Sequence, residues 1–251
     1  FKKNDKKNDT LFFLVGDSII TSFLPMFDQF SNEGDIYLSA MSGAFYLPDV
    51  SYSTKDIFPE NSKIMQTHIK NNIENLNEIS KKYKNKFFIL GNMYRYYLDE
   101  TILFSTEEKN KIEKKDYYLN VENKLNKLIS RIPNDVNIII IPQTIVLTAT
   151  REECFKSKKS YKSNCNLKTK DFHLRSSRAL NDVFDKLKNK HGNFYVYDLI
   201  DLICPKENCN YFRENYDSYY YDKGHLTVET SVFLASHFKN FLTENNLRNQ
   251  K

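Results

Sequence analysis

The sequence predicts one α/β domain in three layers, with a central, mostly parallel five-stranded sheet covered by helices on both faces. Three observations carry this expectation. Short apolar runs alternate with helical patterns along the whole chain; the runs are continuous, as in strands buried on both faces; and neither an internal repeat nor a convincing interior linker breaks the order.

The first strand is "LFFLV", Leu11 to Val15, which ends at Gly16-Asp17-Ser18 and is followed by the apolar-spaced "IITSFLPMF". "DIYLSA" supplies a second strand. In "THIKNNIENLNEISKKY", Ile69, Ile73, Leu76 and Ile79 recur at helical spacing. "KFFIL", Lys86 to Leu90, is the third strand; "YYLNVENKLNKLISRI" repeats the helical pattern and leads into "VNIIIIP", Val136 to Pro142, the plainest buried strand of the chain. "FHLRSSRALNDVFDKLKNKHG" predicts a helix stopped by Gly192, where glycine can take the left-handed cap conformation. "NFYVYDL" is the fifth strand, and "VETSVFLASHFKNFL" a closing amphipathic helix.

A chain of 251 residues suits one such domain, and 40% hydrophobic with 27% charged residues describes a globular protein, not a disordered one. No apolar run reaches the roughly 18 residues needed to cross a bilayer. Residues 1–10, "FKKNDKKNDT", have no periodicity and read as a linker, which leaves 11–251 as the domain. A start on Phe1 after no methionine fits a domain cut from a longer protein.

Charge is concentrated. Arg151 to Lys170 holds seven basic residues against Glu152 and Glu153, equal to the whole formal excess of +5. Such an insert can attract an anionic glycan or lipid headgroups, or simply be solvated. No nucleic-acid motif accompanies it, so nucleic acid is not an expected partner. Cys154 with Cys165, and Cys204 with Cys209, form two short-range pairs that bound polar segments. They suggest two disulfides and an oxidising compartment, with a zinc site as the competing reading; the wide spacing of the first pair disfavours zinc, and no metal is expected.

The chemistry gathers at two places. Gly16 permits a tight turn at the end of the first strand, and the helix start that follows leaves backbone N–H groups free for an anion, with Ser18 as a candidate nucleophile. Asp17 is expected to stabilise the turn. Near the other end, "DKGH" sets Asp222 three residues before His225 at a loop-to-helix junction. A serine hydroxyl becomes a nucleophile when an imidazole takes its proton and a carboxylate steadies that imidazole, so these three residues suit acyl transfer.

The chain resembles the SGNH (GDSL-like) hydrolases and transferases, whose fold is flavodoxin-like. "VGDS" matches the family's first block and "DKGH" its Asp-x-x-His block. The resemblance implies Ser18, Asp222 and His225 as the catalytic residues. It also implies an oxyanion hole from the backbone of Ser18, from Gly43 in "SAMSGAFYLP", and from Asn92 in "FILGNMYRYY", where the family's usual Gly-x-Asn-Asp lacks its final Asp. Tyr94 and Arg95 after Asn92, and Tyr221 in the run Tyr219 to Tyr221, are candidate acceptor-binding residues. A narrower likeness, through "PQTIVLTATREECF", "VYDLIDLICPKENC" and "YYYDKGHLT", is to the periplasmic SGNH domain fused to acyltransferase family 3 membrane proteins. That likeness implies O-acetylation of a bacterial surface polysaccharide through an acyl-serine, with the acyl group delivered by a fused or associated membrane domain and no cofactor. The expected place is periplasmic or otherwise extracytoplasmic, attached to the inner membrane in the full-length protein, and the isolated domain is expected to be monomeric. The alternatives are a stand-alone carbohydrate O-acetyl esterase and an inactive glycan-binding module.

Overall fold

The computed structural model describes residues 8–55, 57, 59–142, 169–209, 219–222 and 224–247. Most of the basic insert, Arg151 to Lys168, lies outside the described residues, and so do Cys154 and Cys165. Lys170, at its end, pairs with Asp201 at 2.5 Å.

Five strands form the main sheet: β1 Thr10–Gly16, β2 Asp35–Ala40, β4 Asn85–Asn92, β6 Asn137–Pro142 and β7 Phe194–Val196. Their order is β2-β1-β4-β6-β7, and every pairing is parallel. The chain runs from β1 outward to β2 and then returns to lay β4 on the opposite side of β1. That reversal makes the crevice between the carboxyl ends of β1 and β4 the switch point at which ligands bind in open α/β sheets.

The continuous apolar runs are explained by the two cores. Leu11, Phe13 and Val15 point into one layer with α3 (Ser62–Ile79), α5 (Tyr117–Ile129) and α6 (Lys170–Lys190), whereas Phe12 and Leu14 point into the other with α1 (Ser18–Ser22), α2 (Leu24–Asp28) and α8 (Val228–Glu244). Successive strand residues face opposite sides, so a strand sandwiched between helices is apolar at every position. Each fully buried Phe contributes about 1.5–3 kcal/mol.

Four local features depart from the sequence reading. A separate antiparallel ribbon pairs β3 (Val50–Ser53) with β5 (Ile102–Ser105). Tyr94–Glu100 forms a short helix, α4, directly after β4. "IITSFLPMF" is two helices, because Phe23 closes α1 and Pro25 occupies the first turn of α2, where its missing N–H costs nothing. Finally, α6 ends on His191 in extended conformation (φ −124°, ψ 109°), and Gly192 does not adopt the positive φ expected of a left-handed cap. A last short helix, α7 (Ile200–Ile203), runs into the Cys204–Cys209 disulfide, the predicted pair that lies among the described residues.

Candidate active site

The turn after β1 is built by close backbone approach. Gly16 has φ 138°, and a Cβ there would lie 1.9 Å from the carbonyl oxygen of Gly91 on β4. Only glycine fits both the dihedral and the contact. The Asp17 N–H then donates to that same Gly91 carbonyl at 3.1 Å.

Asp17 caps α1. Its fully buried carboxylate accepts from the Ile19 N–H at 2.8 Å through Oδ1, and from the Met93 N–H at 2.9 Å and the Tyr97 hydroxyl at 3.0 Å through Oδ2. Burial pushes its pKa up to about 6, against the lowering effect of those three donors. Asp17 thus fastens the serine turn to the start of α4, as expected of a turn-stabilising residue.

Ser18 follows at the first position of α1. Its Oγ lies 2.7 Å from His225 Nε2, across 207 residues of sequence. His225 Nδ1 lies 2.7 Å from Asp222 Oδ2. The remaining Asp222 oxygen accepts from the N–H groups of Gly224 and His225, each at 2.8 Å. Partial burial raises the Asp222 pKa, but these two N–H donors and the imidazole outweigh it, and the carboxyl is held below its ordinary value. A carboxylate on Nδ1 leaves Nε2 free to accept the Ser18 hydroxyl proton. The loop that presents Asp222 and His225 is pinned by the Tyr221 N–H donating to the His225 carbonyl at 2.8 Å and the Thr227 N–H donating to the Tyr219 carbonyl at 3.1 Å. Thr227 then caps α8 through its side chain.

Gly43 sits in a turn closed by the Ala44 N–H donating to the Met41 carbonyl at 3.0 Å, and its φ of 67° lies in the left-handed region that glycine adopts without strain. The turn is joined to the serine side of the site because the Met41 N–H donates to the Gly16 carbonyl at 3.0 Å. Among the described residues neither the Ser18 N–H nor the Gly43 N–H has a protein acceptor. Asn92 ends β4 fully buried; with Oδ1 toward the Tyr46 N–H and Nδ2 toward the Ala44 carbonyl, both at 3.3 Å, its amide braces the segment after Gly43.

The candidate acceptor residues separate. Tyr221 is 67% exposed beside Asp222 and is open to a ligand. Tyr94 is a correction: it is wholly buried, edge-on to Phe45 and Phe184, and no ligand reaches it. The Arg95 side chain is only 14% exposed and faces Asp99 at 3.9 Å, so it serves α4 more than the surface. Tyr219 and Tyr220 are buried. Sequence reasoning missed Tyr97, whose hydroxyl touches Asp17 from 80 positions away with no local pattern to announce it. No cluster of metal-ligating side chains occurs among the described residues.

Fold and site define a doubly wound α/β domain that holds a hydroxyl, an imidazole and a carboxylate in series at its switch point. The chain belongs to the SGNH family, in the branch described as "SGNH domain (fused to AT3 domains)", which matches residues 2–240. Among solved structures it is similar to the periplasmic domain of the lipopolysaccharide acetyltransferase of Salmonella ser. Paratyphi A, at 17% identity over 94% of this chain and 84% of that one, with a TM-score of 0.62. It is also similar to the C-terminal catalytic domain of the peptidoglycan O-acetyltransferase A of Streptococcus pneumoniae, at 12% identity over 96% of each chain, with a TM-score of 0.41. The first likeness extends the three-layer fold over almost the whole chain. No curated protein matches in sequence. No helix among the described residues is long and apolar enough to cross a membrane.

Proposed function

We propose that this domain transfers an acetyl group to a hydroxyl of a bacterial surface polysaccharide, on the extracytoplasmic side of the membrane, through an acyl-Ser18 intermediate. The observation that carries the reading is the unbroken series Ser18 Oγ, His225 Nε2, His225 Nδ1, Asp222 Oδ2, with 2.7 Å at both joints. Family membership supports the reaction class, and the family's fusion to AT3 domains supports a membrane-embedded acyltransferase as the source of the acyl group. The domain acts as a monomer in this reading.

The steps balance without a cofactor. Ser18 Oγ attacks the donor's carbonyl carbon while its proton passes to His225 Nε2, and the carbonyl electron pair moves to oxygen. The Ser18 and Gly43 N–H groups receive that oxyanion, with Asn92 holding the Gly43 segment in place. Collapse expels the donor's leaving group, which takes the proton from His225. In the second half His225 removes the proton of a sugar hydroxyl, whose oxygen attacks the acyl-serine, and the proton returns to Ser18 Oγ as the ester leaves. Throughout, Asp222 steadies the imidazolium. The acceptor has room beside the exposed Tyr221.

The site is open: the His225 and Asp222 side chains are 29% and 41% exposed. Water reaches the imidazole, which favours ester hydrolysis as the second reading. Ser18→Ala is expected to lower acetyl-ester cleavage by about 10⁴-fold or more with little change in melting temperature. Undiminished turnover in that variant would remove Ser18 from the mechanism. Mass spectrometry of oligosaccharides incubated with an acetyl donor separates the two readings: acetylated sugar supports transfer, and free acetate alone supports hydrolysis.

A further inference from the structure

A second series of contacts, outside the serine, histidine and aspartate, joins the serine turn to the Gly43 turn. The Tyr97 hydroxyl donates to Asp17 Oδ2 at 3.0 Å. The Tyr97 ring also packs against the Tyr52 ring, the two centroids standing 4.6 Å apart. Tyr52 in turn donates to the Gly43 carbonyl. Tyr97 is buried on α4 and Tyr52 half-buried on β3, so the path runs through the helix and the ribbon that flank the main sheet.

We propose that Tyr97 and Tyr52 are positioning residues that hold the Gly43 turn against the Ser18 turn, and with it the geometry of the oxyanion hole. The inference rests on the acyl-transfer reading above, which makes those two N–H groups the oxyanion donors. Gly43 lies in a short exposed turn with a single backbone bond across it, and glycine permits rotation of the flanking peptide planes at little cost. Tyr52 holds the Gly43 carbonyl, one Cα beyond the peptide plane that carries the Gly43 N–H, and so anchors the turn. Tyr97, packed against Tyr52, refers the turn to Asp17, the residue that caps the helix on which Ser18 stands. Oxyanion donors act at about 2.7–3.1 Å from the developing charge, so a small drift of one donor is felt in the rate.

The test compares Tyr52→Phe, Tyr97→Phe and the double variant with wild type, by acetyl-ester kinetics and by the rate at which a fluorophosphonate labels Ser18. Each single change is expected to lower kcat and the labelling rate by roughly ten- to hundredfold. KM should stay within about twofold, since neither hydroxyl is placed against the substrate. Because both hydroxyls lie on one path, the double variant should be no slower than the slower single. Losses that multiply, losses confined to KM, or wild-type labelling in the variants would overturn the path. If Tyr97→Phe does not fold, Tyr52→Phe decides alone, its half-exposed ring leaving the core untouched. A wild-type protein that the fluorophosphonate does not label at Ser18 overturns the acyl-transfer reading and this inference with it; labelled wild type with unaffected variants overturns the inference only.

Discussion

The two turns that meet at the active site are built in opposite ways. Gly16 to Ser18 is held by the core: its glycine touches the β4 backbone, and its aspartate is buried under donors 2, 76 and 80 positions away. Asp222 to His225 is held by its own loop, through hydrogen bonds spanning two to eight residues, and stands partly in solvent. The lesson is a division of labour. The position of Ser18, the proposed nucleophile, is a property of the whole sheet, whereas His225, the proposed base, stands on a local loop that closes onto it. Damage to the frame of the first turn, at Gly16, should therefore appear as lost stability, and damage to the second turn as lost rate.

The largest effect should come from Gly16→Ala. A methyl 1.9 Å from the Gly91 carbonyl oxygen forces β1 and β4 apart, and we expect a loss of at least about 3 kcal/mol in urea unfolding. Gly192→Ala, with nothing within 4 Å of its Cβ, is the control and should stay within about 0.5 kcal/mol of wild type. If both glycines behave alike, the contrast between the regions is broken.

Asp222→Asn comes next. It should cost roughly 10³- to 10⁴-fold in kcat, because an amide no longer fixes the imidazole tautomer, while the unfolding midpoint hardly moves. A fall in stability comparable to that of Gly16→Ala would erase the distinction.

The smallest effect is one of pH. The folded-state pKa of Asp17 lies at about 6, above its ordinary 3.8, so the folded state binds this proton more tightly than the unfolded chain does. Its contribution to stability is complete below pH 3.8 and is lost as pH rises to about 6, a change on the order of 3 kcal/mol. In Asp17→Asn that change is absent. The stability of wild type relative to Asp17→Asn should therefore decline between pH 4 and pH 7, measured by urea unfolding at each pH; a constant difference would mean that the buried carboxyl is not strained.

The legible parts of the fold were those with dense local signals. "LFFLV", "KFFIL" and "VNIIIIP" announce buried strands because two helical layers make every position apolar. Gly16-Asp17-Ser18 and "DKGH" were visible for a similar reason: a turn and a three-residue spacing are local facts. The ribbon was not, since "VSYS" and "ILFS" mix polar and apolar residues and make sense only once paired. Tyr94 carried a misleading signal, as an aromatic residue beside Asn92 looks like a ligand contact until α4 turns its ring inward between Phe45 and Phe184. Tyr97 and Tyr52 were invisible because their meaning lies in partners that only the folded chain supplies. The cap of α6 failed on a single dihedral, His191 having left the helix before Gly192 was needed.

The contact of Gly16 with Gly91 bears on how this protein can change over time. Main-chain atoms, common to all twenty amino acids, set the spot where the Ser18 hydroxyl stands, so natural variation has almost no handle on it beyond keeping two hydrogens where a side chain would begin. On the proposed function, drift in substrate preference would instead accumulate at the rim, in surfaces such as that of Tyr221, where replacement leaves the strand ends undisturbed.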